Sequence, residues 1–199
     1  MGHAGMAATA VRYLRSVGAP TVAEPVEALP RPDLRAVGDD ERVPVDAAEF
    51  RRVLGHFATG VTVITASGPA GFACQSFSSL SLDPPLVAFM VARTSTTWPR
   101  IARAGAFCVN ILGAEQGELC RGFAVSGADK FAGVAYDAAP VSGAPRLAGA
   151  PAWIDCTIHA VHTGGDHLIV VGRVDALGAA DGAGSPLLFH QGRFGRLSE

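Results

Sequence analysis

The spacing of apolar residues along the chain changes near residue 60. Before it, Phe50, Val53, Leu54 and Phe57 recur three or four apart, the spacing of one helix face. Asp46-Ala-Ala-Glu49 precedes them in the form of a capping box, with Asp46 as N-cap and Glu49 at N3, and the helix is expected to end near Thr59-Gly60. Beyond it the pattern is that of strands. VTVIT (61–65) is β-branched throughout, Gly68-Pro69-Ala70-Gly71 supplies a turn, and FACQSF restarts a strand, so 61–77 predicts a hairpin. LVAFMVA (86–92) and AFCVNIL (106–112) are nearly continuous apolar strands. Residues 152–162 alternate: Ile154, Cys156, Ile158 and Ala160 share one face, while Asp155, Thr157 and His159 share the other with Trp153 and Val161. Gly164-Gly165-Asp166 then turns the chain into a partner strand over 167–177. Helical segments are short, one over 97–104 with Trp98, Ile101 and Ala102 on a face, and one over 114–123. Strands joined mainly by hairpins, with helices as caps, predict an antiparallel barrel. The absence of strand–helix alternation and of G-x-G-x-x-G disfavours a doubly wound dinucleotide fold.

Composition narrows the class. Hydrophobic residues make up 49% and charged residues 17% of 199, enough for a core of its own and too apolar for disorder throughout. Residues 1–45 hold five of the thirteen prolines and read as a flexible leader, with room for a short helix over 7–17; the folded domain is expected over 46–199. A net charge of -2 gives no footprint for nucleic acid or an anionic membrane. The runs PLVAFMVA and HLIVV are too short to span a bilayer, and the first residues lack a signal-peptide apolar core. Cys74, Cys108, Cys120 and Cys156 form no C-x-x-C pair and no zinc-like cluster, which reads as buried reduced thiols in a cytoplasmic protein without a metal.

The segment GFACQSFSSLSLDPP (71–85) carries more small polar groups than a core strand needs. Cys74 as a nucleophile lacks any surrounding signature, although His56, His159, His162, His167 and His190 are available as bases. A metal site is open only where His162 and His167 flank a turn with Asp166. No G-x-S-x-G singles out a serine. A cradle for a phosphate or cofactor fits best: Ser76, Ser79 and Ser81 form one hydroxyl cluster and Thr94-Ser95-Thr96-Thr97 another, at a helix start just after Arg93. Ser95 or Thr96 acting simply as a helix cap is compatible with it.

Read together, FRRVLGHFATGVTVIT (50–65), GFACQSFSSLSLDPPLV (71–87), RTSTTW (93–98), FCVNIL (107–112), DKFAGV (129–134), GGDH (164–167) and PLLFHQGRFGRL (186–197) occur in the order found in one family. From about 46 to 197 the chain resembles the flavin reductase family with an FMN-binding split barrel, the small reductase components of two-component flavin monooxygenases. The wording resembles most the reductases of aromatic and steroid-phenol hydroxylases, and natural-product pathways use similar ones. The resemblance implies a mainly β, six-stranded antiparallel Greek-key split barrel with short capping helices, a homodimer with flavin near the subunit interface. The implied activity is an NAD(P)H:flavin oxidoreductase that reduces FMN or FAD by hydride transfer, with NADH favoured over NADPH, and hands reduced flavin to a separate monooxygenase component. A non-catalytic flavin-storage protein and an oxidase of the pyridoxamine-phosphate-oxidase type are the alternatives on the same barrel.

Carried over by position, Ala73, Cys74, Gln75 and Ser76 would line the isoalloxazine and ribityl chain, with Thr59 and Ser81 also among the cofactor-binding residues. Arg93, Ser95, Thr96 and Thr97 would hold the phosphate, and Lys130 and Phe131 would meet the flavin edge. His167, the one side chain given a catalytic place, would sit where the nicotinamide docks, and Arg193 and Phe194 would close over it. Thr96 stands where the family pattern has a second serine, and Phe194 where it often has tyrosine. This agrees with the residues themselves, since hydride transfer between two rings needs orientation and stacking more than acid–base groups.

Overall fold

The computed structural model describes residues 45–127, 129–182 and 184–197. The expected leader, with its short helix, lies outside the described residues apart from Val45. Helix α1 (Ala47–Leu54) ends five residues before the expected Thr59. The Gly55 N–H closes the last turn on the Arg51 carbonyl at 2.9 Å, and Thr59–Gly60 becomes a short strand, β1, opposite Phe189 and Leu188 of β11 (Leu188–His190). A glycine breaks the helix, and a partner about 130 residues away, invisible to local periodicity, claims the segment that follows. The apolar stripe of α1 faces outward: Phe50, Val53, Leu54 and Phe57 are each half exposed or more.

The expected hairpin forms from β2 (Thr62–Ala66) and β3 (Ala70–Cys74), with Thr62 opposite Cys74 and Ala66 opposite Ala70. There follow β4 (Ser78–Leu82), β5 (Pro85–Ala92), α2 (Trp98–Ala104), β6 (Ala106–Ile111), a 3-10 turn (Ala114–Gln116) running into α3 (Gly117–Ala124), and the small pair β7 (Tyr136–Ala138) and β8 (Pro145–Leu147). The long pair β9 (Ala152–Gly164) and β10 (His167–Ala179) comes next, then the hairpin of β11 with β12 (Arg193–Gly195). The main antiparallel sheet has the order β3-β2-β6-β9-β10-β5-β4. Chain neighbours β5 and β6 are not sheet neighbours, so α2 carries the chain across in a Greek-key step. The expected barrel is present with one strand more than six in its sheet, because β4 adds to the edge of β5.

Two cores explain why β2 is buried along its whole length. Inside the barrel, Phe89 sits edge-on to Phe107 at 5.1 Å and to Trp98 at 6.3 Å, among Ile64, Val109 and Val170. Outside, Val61, Val63, Leu112, Cys120, Phe123 and Leu187 pack beneath α3 and the last hairpin. The tip of the Phe107 ring packs on Gly172, where a Cβ would come within 2.4 Å of its Cζ. The polar face predicted for β9 is partly buried as well. Asp155 is fully buried and accepts hydrogen bonds from the N–H groups of Val141 and Ser142 at 2.9 and 3.1 Å and from the Ser142 hydroxyl. Asn110, equally buried, accepts from the Leu147 N–H at 2.7 Å and donates to the carbonyls of Val63 and Pro145. Each stands in for a missing strand partner, which local sequence does not announce. Among the described residues no helix is long and apolar enough to cross a membrane.

Candidate functional site

The β2–β3 turn and β3 make one continuous wall, from Gly68 to the segment 75–77 just past Cys74. From Pro69 to Ser76 it spans at most about 23 Å at ~3.3 Å per residue. At its far end the Ser76 hydroxyl takes both backbone groups of Met90 in β5, donating to the carbonyl at 3.0 Å and accepting from the N–H at 2.9 Å. Met90 lies opposite Ile169 in β10, and Ala92 lies opposite His167. The Arg93 N–H donates to the Asp166 carbonyl at 2.9 Å. Segments that are some ninety residues apart, ACQS and GGDH, therefore share one corner with the start of the RTSTT loop.

Alternation along β3 sorts its side chains. Cys74 points into the barrel core, its Sγ 3.3 Å from Ser76 Oγ, and burial pushes its thiol above the usual cysteine range, which removes it as a nucleophile. Ala73 and the backbone of Gly71 belong to the other side, against Phe123 and Phe131. Gln75 is exposed. Thr59, on β1 beside Phe189, carries a buried hydroxyl with no hydrogen-bond partner among the described residues, a group that calls for a ligand or water. Ser81 lies opposite Leu86, four residues down β5 from Met90, or about 13 Å, so one chain does not bring it to this corner.

At the near end of the wall a cleft of about 340 Å³ is lined by Pro69, Ala70, Gly71, Thr96, Thr97, Arg100, Lys130 and Phe131, with Gly127 and Asp129. Four of the expected residues, Thr96, Thr97, Lys130 and Phe131, meet there. The Ser95 hydroxyl accepts from the Trp98 N–H at 3.2 Å, tying the loop to the first residue of α2, while Thr97 holds the N-cap position without a side-chain cap bond. Pro99 has no N–H, and α2 has only seven residues, so the anion-binding helix start expected from sequence gives way to side chains. Lys130 Nζ donates to the carbonyls of Gly71 at 3.2 Å and Phe123 at 3.0 Å, and burial lowers its ammonium below the usual lysine range. Arg100, which sequence reasoning missed, donates through Nη2 to the carbonyls of Gly68 and Pro69. Its only signal was a place three residues after Thr97, on the same helix side.

His167 is half-buried, its Nδ1 2.7 Å from Asp166 Oδ1. Arg193 and Phe194 stand apart from the cleft. They line a second one of about 430 Å³ with Arg121, Phe189 and Gly192, where the Arg121 guanidinium lies over the Phe194 ring. Hydroxyls, two cations and small residues along one edge suit a long ligand with an apolar planar end and an anionic end; the donors fit a flavin nucleotide.

The model of the flavin reductase like domain matches residues 54–198. Over 153 residues the chain is 48% identical to the reductase subunit HsaB of a flavin-dependent monooxygenase from Rhodococcus jostii (strain RHA1), covering 75% of this chain and 77% of that protein. Its fold superposes on nitrilotriacetate monooxygenase component B from Mycobacterium thermoresistibile with a TM-score of 0.74 at 46% identity, covering 76% of this chain and 86% of the other. It superposes on the NADH:FAD oxidoreductase SgcE6 of Streptomyces globisporus, solved with NAD and FAD fragments, with a TM-score of 0.73 at 39% identity, covering 77% and 93%. The matched residues take in the wall, the cleft and the last hairpin, and the chain belongs to the flavin reductase like domain family.

Proposed function

We propose that this protein is an NAD(P)H-dependent flavin reductase, NADH being favoured, that takes FMN or FAD and supplies the reduced flavin to a separate monooxygenase component. The wall carries the reading: one edge of β3 presents small residues at one end and hydroxyls with cations at the other, over the length of a flavin nucleotide. Ala73, the backbone of Cys74, Gln75 and Ser76 border the ring, with the unpaired Thr59 hydroxyl near its end. Thr96, Thr97 and Lys130 hold the phosphate, Phe131 covers an edge, and Arg93 and Ser95 fix the loop that presents the threonines. A nicotinamide bound against the flavin supplies the hydride that the flavin accepts. His167 orients that nicotinamide at the shared corner, and Arg193 and Phe194 close over it; Ser81 completes the pocket from elsewhere in the dimer.

The homodimer is supported by the outer face of the barrel. Ala88, Val171 and Ala160 form one cross-strand row on β5, β10 and β9 and Met90, Ile169 and His162 the next, with Met90 exposed, and the stripe on and just after α1 adds Phe50, Val53, Leu54 and Phe57. A second copy of the chain is the occupant that also brings two sites to one interface. Four free buried cysteines support a cytoplasmic setting.

The test mixes purified protein with NADH or NADPH and with FMN or FAD and follows absorbance at 340 nm. Flavin-dependent oxidation, faster with NADH, is expected. No oxidation in any combination, with flavin still bound, would leave the storage reading instead.

A further inference from the structure

The last hairpin turns over Gln191 and Gly192, between the paired His190 and Arg193. Both central residues have positive φ, 47° at Gln191 and 79° at Gly192, as the type I′ turn of a two-residue loop requires. Asparagine is the side chain that suits the first of those places, and glutamine is not favoured there. Gln191 is the only non-glycine residue with positive φ among the described residues, so contacts outside the turn must hold it. The end of α1 supplies them. The Gln191 N–H donates to the Gly55 carbonyl at 3.0 Å, and its Nε2 donates to His56 Nδ1, also at 3.0 Å. The His56 ring meets the His190 ring edge-on, with 6.5 Å between centroids. An asparagine at 191 is one methylene shorter, and from the same backbone its amide would stop short of His56. The latch falls where the hairpin leaves the sheet. Leu188 and Phe189 pair with Gly60 and Thr59 of β1, but that pairing ends at Thr59. On the other flank Phe194 packs against Gly117 and Arg121 of α3. The tip that carries Arg193 is thus held from two sides, by α3 through Phe194 and by the end of α1 through Gln191.

We propose that Gln191 and His56 are positioning residues: the bond between them fixes the tip of the last hairpin so that Arg193 stands ready to close over the nicotinamide. The proposal rests on the flavin reductase reading above, which gives Arg193 and Phe194 that place. Neither Gln191 nor His56 lines the flavin cleft; both act through Arg193, two residues beyond Gln191. Ordering the tip before the nicotinamide arrives removes an ordering cost from its binding, so the latch acts on NADH and leaves flavin affinity alone. The left-handed backbone at Gln191 is then the strain accepted for a side chain long enough to reach His56.

Steady-state kinetics, quenching of flavin fluorescence and Tm, all on the full-length protein, separate the latch from the turn. Gln191→Asn gives the turn its favoured residue pair but removes the reach to His56. Tm should stay level or rise. KM for NADH should rise about fivefold, the worth of one hydrogen bond, with kcat and flavin Kd each within about twofold of wild type. His56→Ala should raise KM equally, and the double variant no further than either single, because all three lose the same bond. Should His56→Ala fail to fold, Gln191→Gly takes its place with the same expected KM, since it relaxes the turn and also lacks the amide. An unchanged KM in Gln191→Asn overturns the proposal. So does a rise in flavin Kd that matches the rise in KM, or a fall in Tm in Gln191→Asn, since either makes the contact a structural one. Absence of NADH oxidation by the wild type with flavin present is a failure of the reductase reading and takes this proposal with it, whereas oxidation with KM unchanged in the variants rejects the latch alone.

Discussion

The Ser76 hydroxyl and the Met90 backbone are joined twice, at 3.0 Å to the carbonyl and 2.9 Å from the N–H. One side chain thus makes the ladder bonds that a strand would make, and it closes the end of β3 onto β5 where the ring end of the wall lies. Ser76→Ala leaves both Met90 groups without this partner. Stability should fall by about 1–2 kcal/mol, read as a lower midpoint in urea, and flavin affinity should fall with it. Unchanged stability would show that the bond does not hold the corner.

His167 shares that corner through its register with Ala92, and its Nδ1 is taken by Asp166. His167→Ala should raise the apparent KM for NADH by roughly five- to tenfold, the worth of one hydrogen bond, while changing flavin Kd much less. An unchanged KM removes His167 from nicotinamide docking. The hydrogen bond and charge of His167 hold the Asp166 carboxyl below the usual aspartate range. A depressed carboxyl keeps its charged form above that range and loses it only as pH falls through the lowered value, so the contribution of Asp166 to KM should be flat across neutral pH.

Asn110 tests the buried frame behind the site. Its carboxamide accepts from the Leu147 N–H, joining β8 to β6, and donates to the carbonyls of Pro145 and Val63, joining β8 to β2. Asn110→Ala should cost about 2–3 kcal/mol by leaving a buried N–H unpaired, lowering Tm by roughly 5–10 °C. Flavin Kd in the surviving folded fraction should stay close to wild type, because the network lies on β6 and β8, away from the cleft.

Cys108 gives a pH prediction. Burial first, and the Asp155 charge second, push its thiol up to about 12, and Cys156 shifts in the same direction. A raised folded pKa means that stability is full below the ordinary thiol range and is lost as pH rises from about 9 through 12. Tm measured by circular dichroism should fall across that window, and Cys108→Ser, which does not titrate there, should flatten the fall. Rapid modification of the native thiols at pH 8 would contradict their burial.

The strands of the barrel were legible because each carries its own signal. VTVIT is β-branched, LVAFMVA is apolar throughout, and glycine, proline and aspartate punctuate the turns between them. The RTSTTW and GGDH motifs likewise stand out by composition alone, one rich in hydroxyls and the other in turn formers. Where local pattern misled, a distant partner had overruled it. The helix over 47–54 stops early because β11 captures Thr59 and Gly60. Asp155, on the polar face of β9, is buried because a loop thirteen residues earlier covers it and donates to its carboxylate.

The amino-acid order by itself determined the strand-rich character, the hairpins, the absence of a dinucleotide-binding Gly-rich turn and the hydroxyl clusters, since all of these follow from side-chain period and turn chemistry within a few residues. Only the tertiary structure decided that Ser76 reaches Met90, that Cys74 is shut inside the core, that the Ser95 hydroxyl is taken by the Trp98 N–H, and that Arg100 joins Lys130 on one cleft. Those outcomes depend on which strands become neighbours in the sheet, and that choice is made by burial and hydrogen-bond satisfaction summed over the whole barrel rather than by any local stretch of chain.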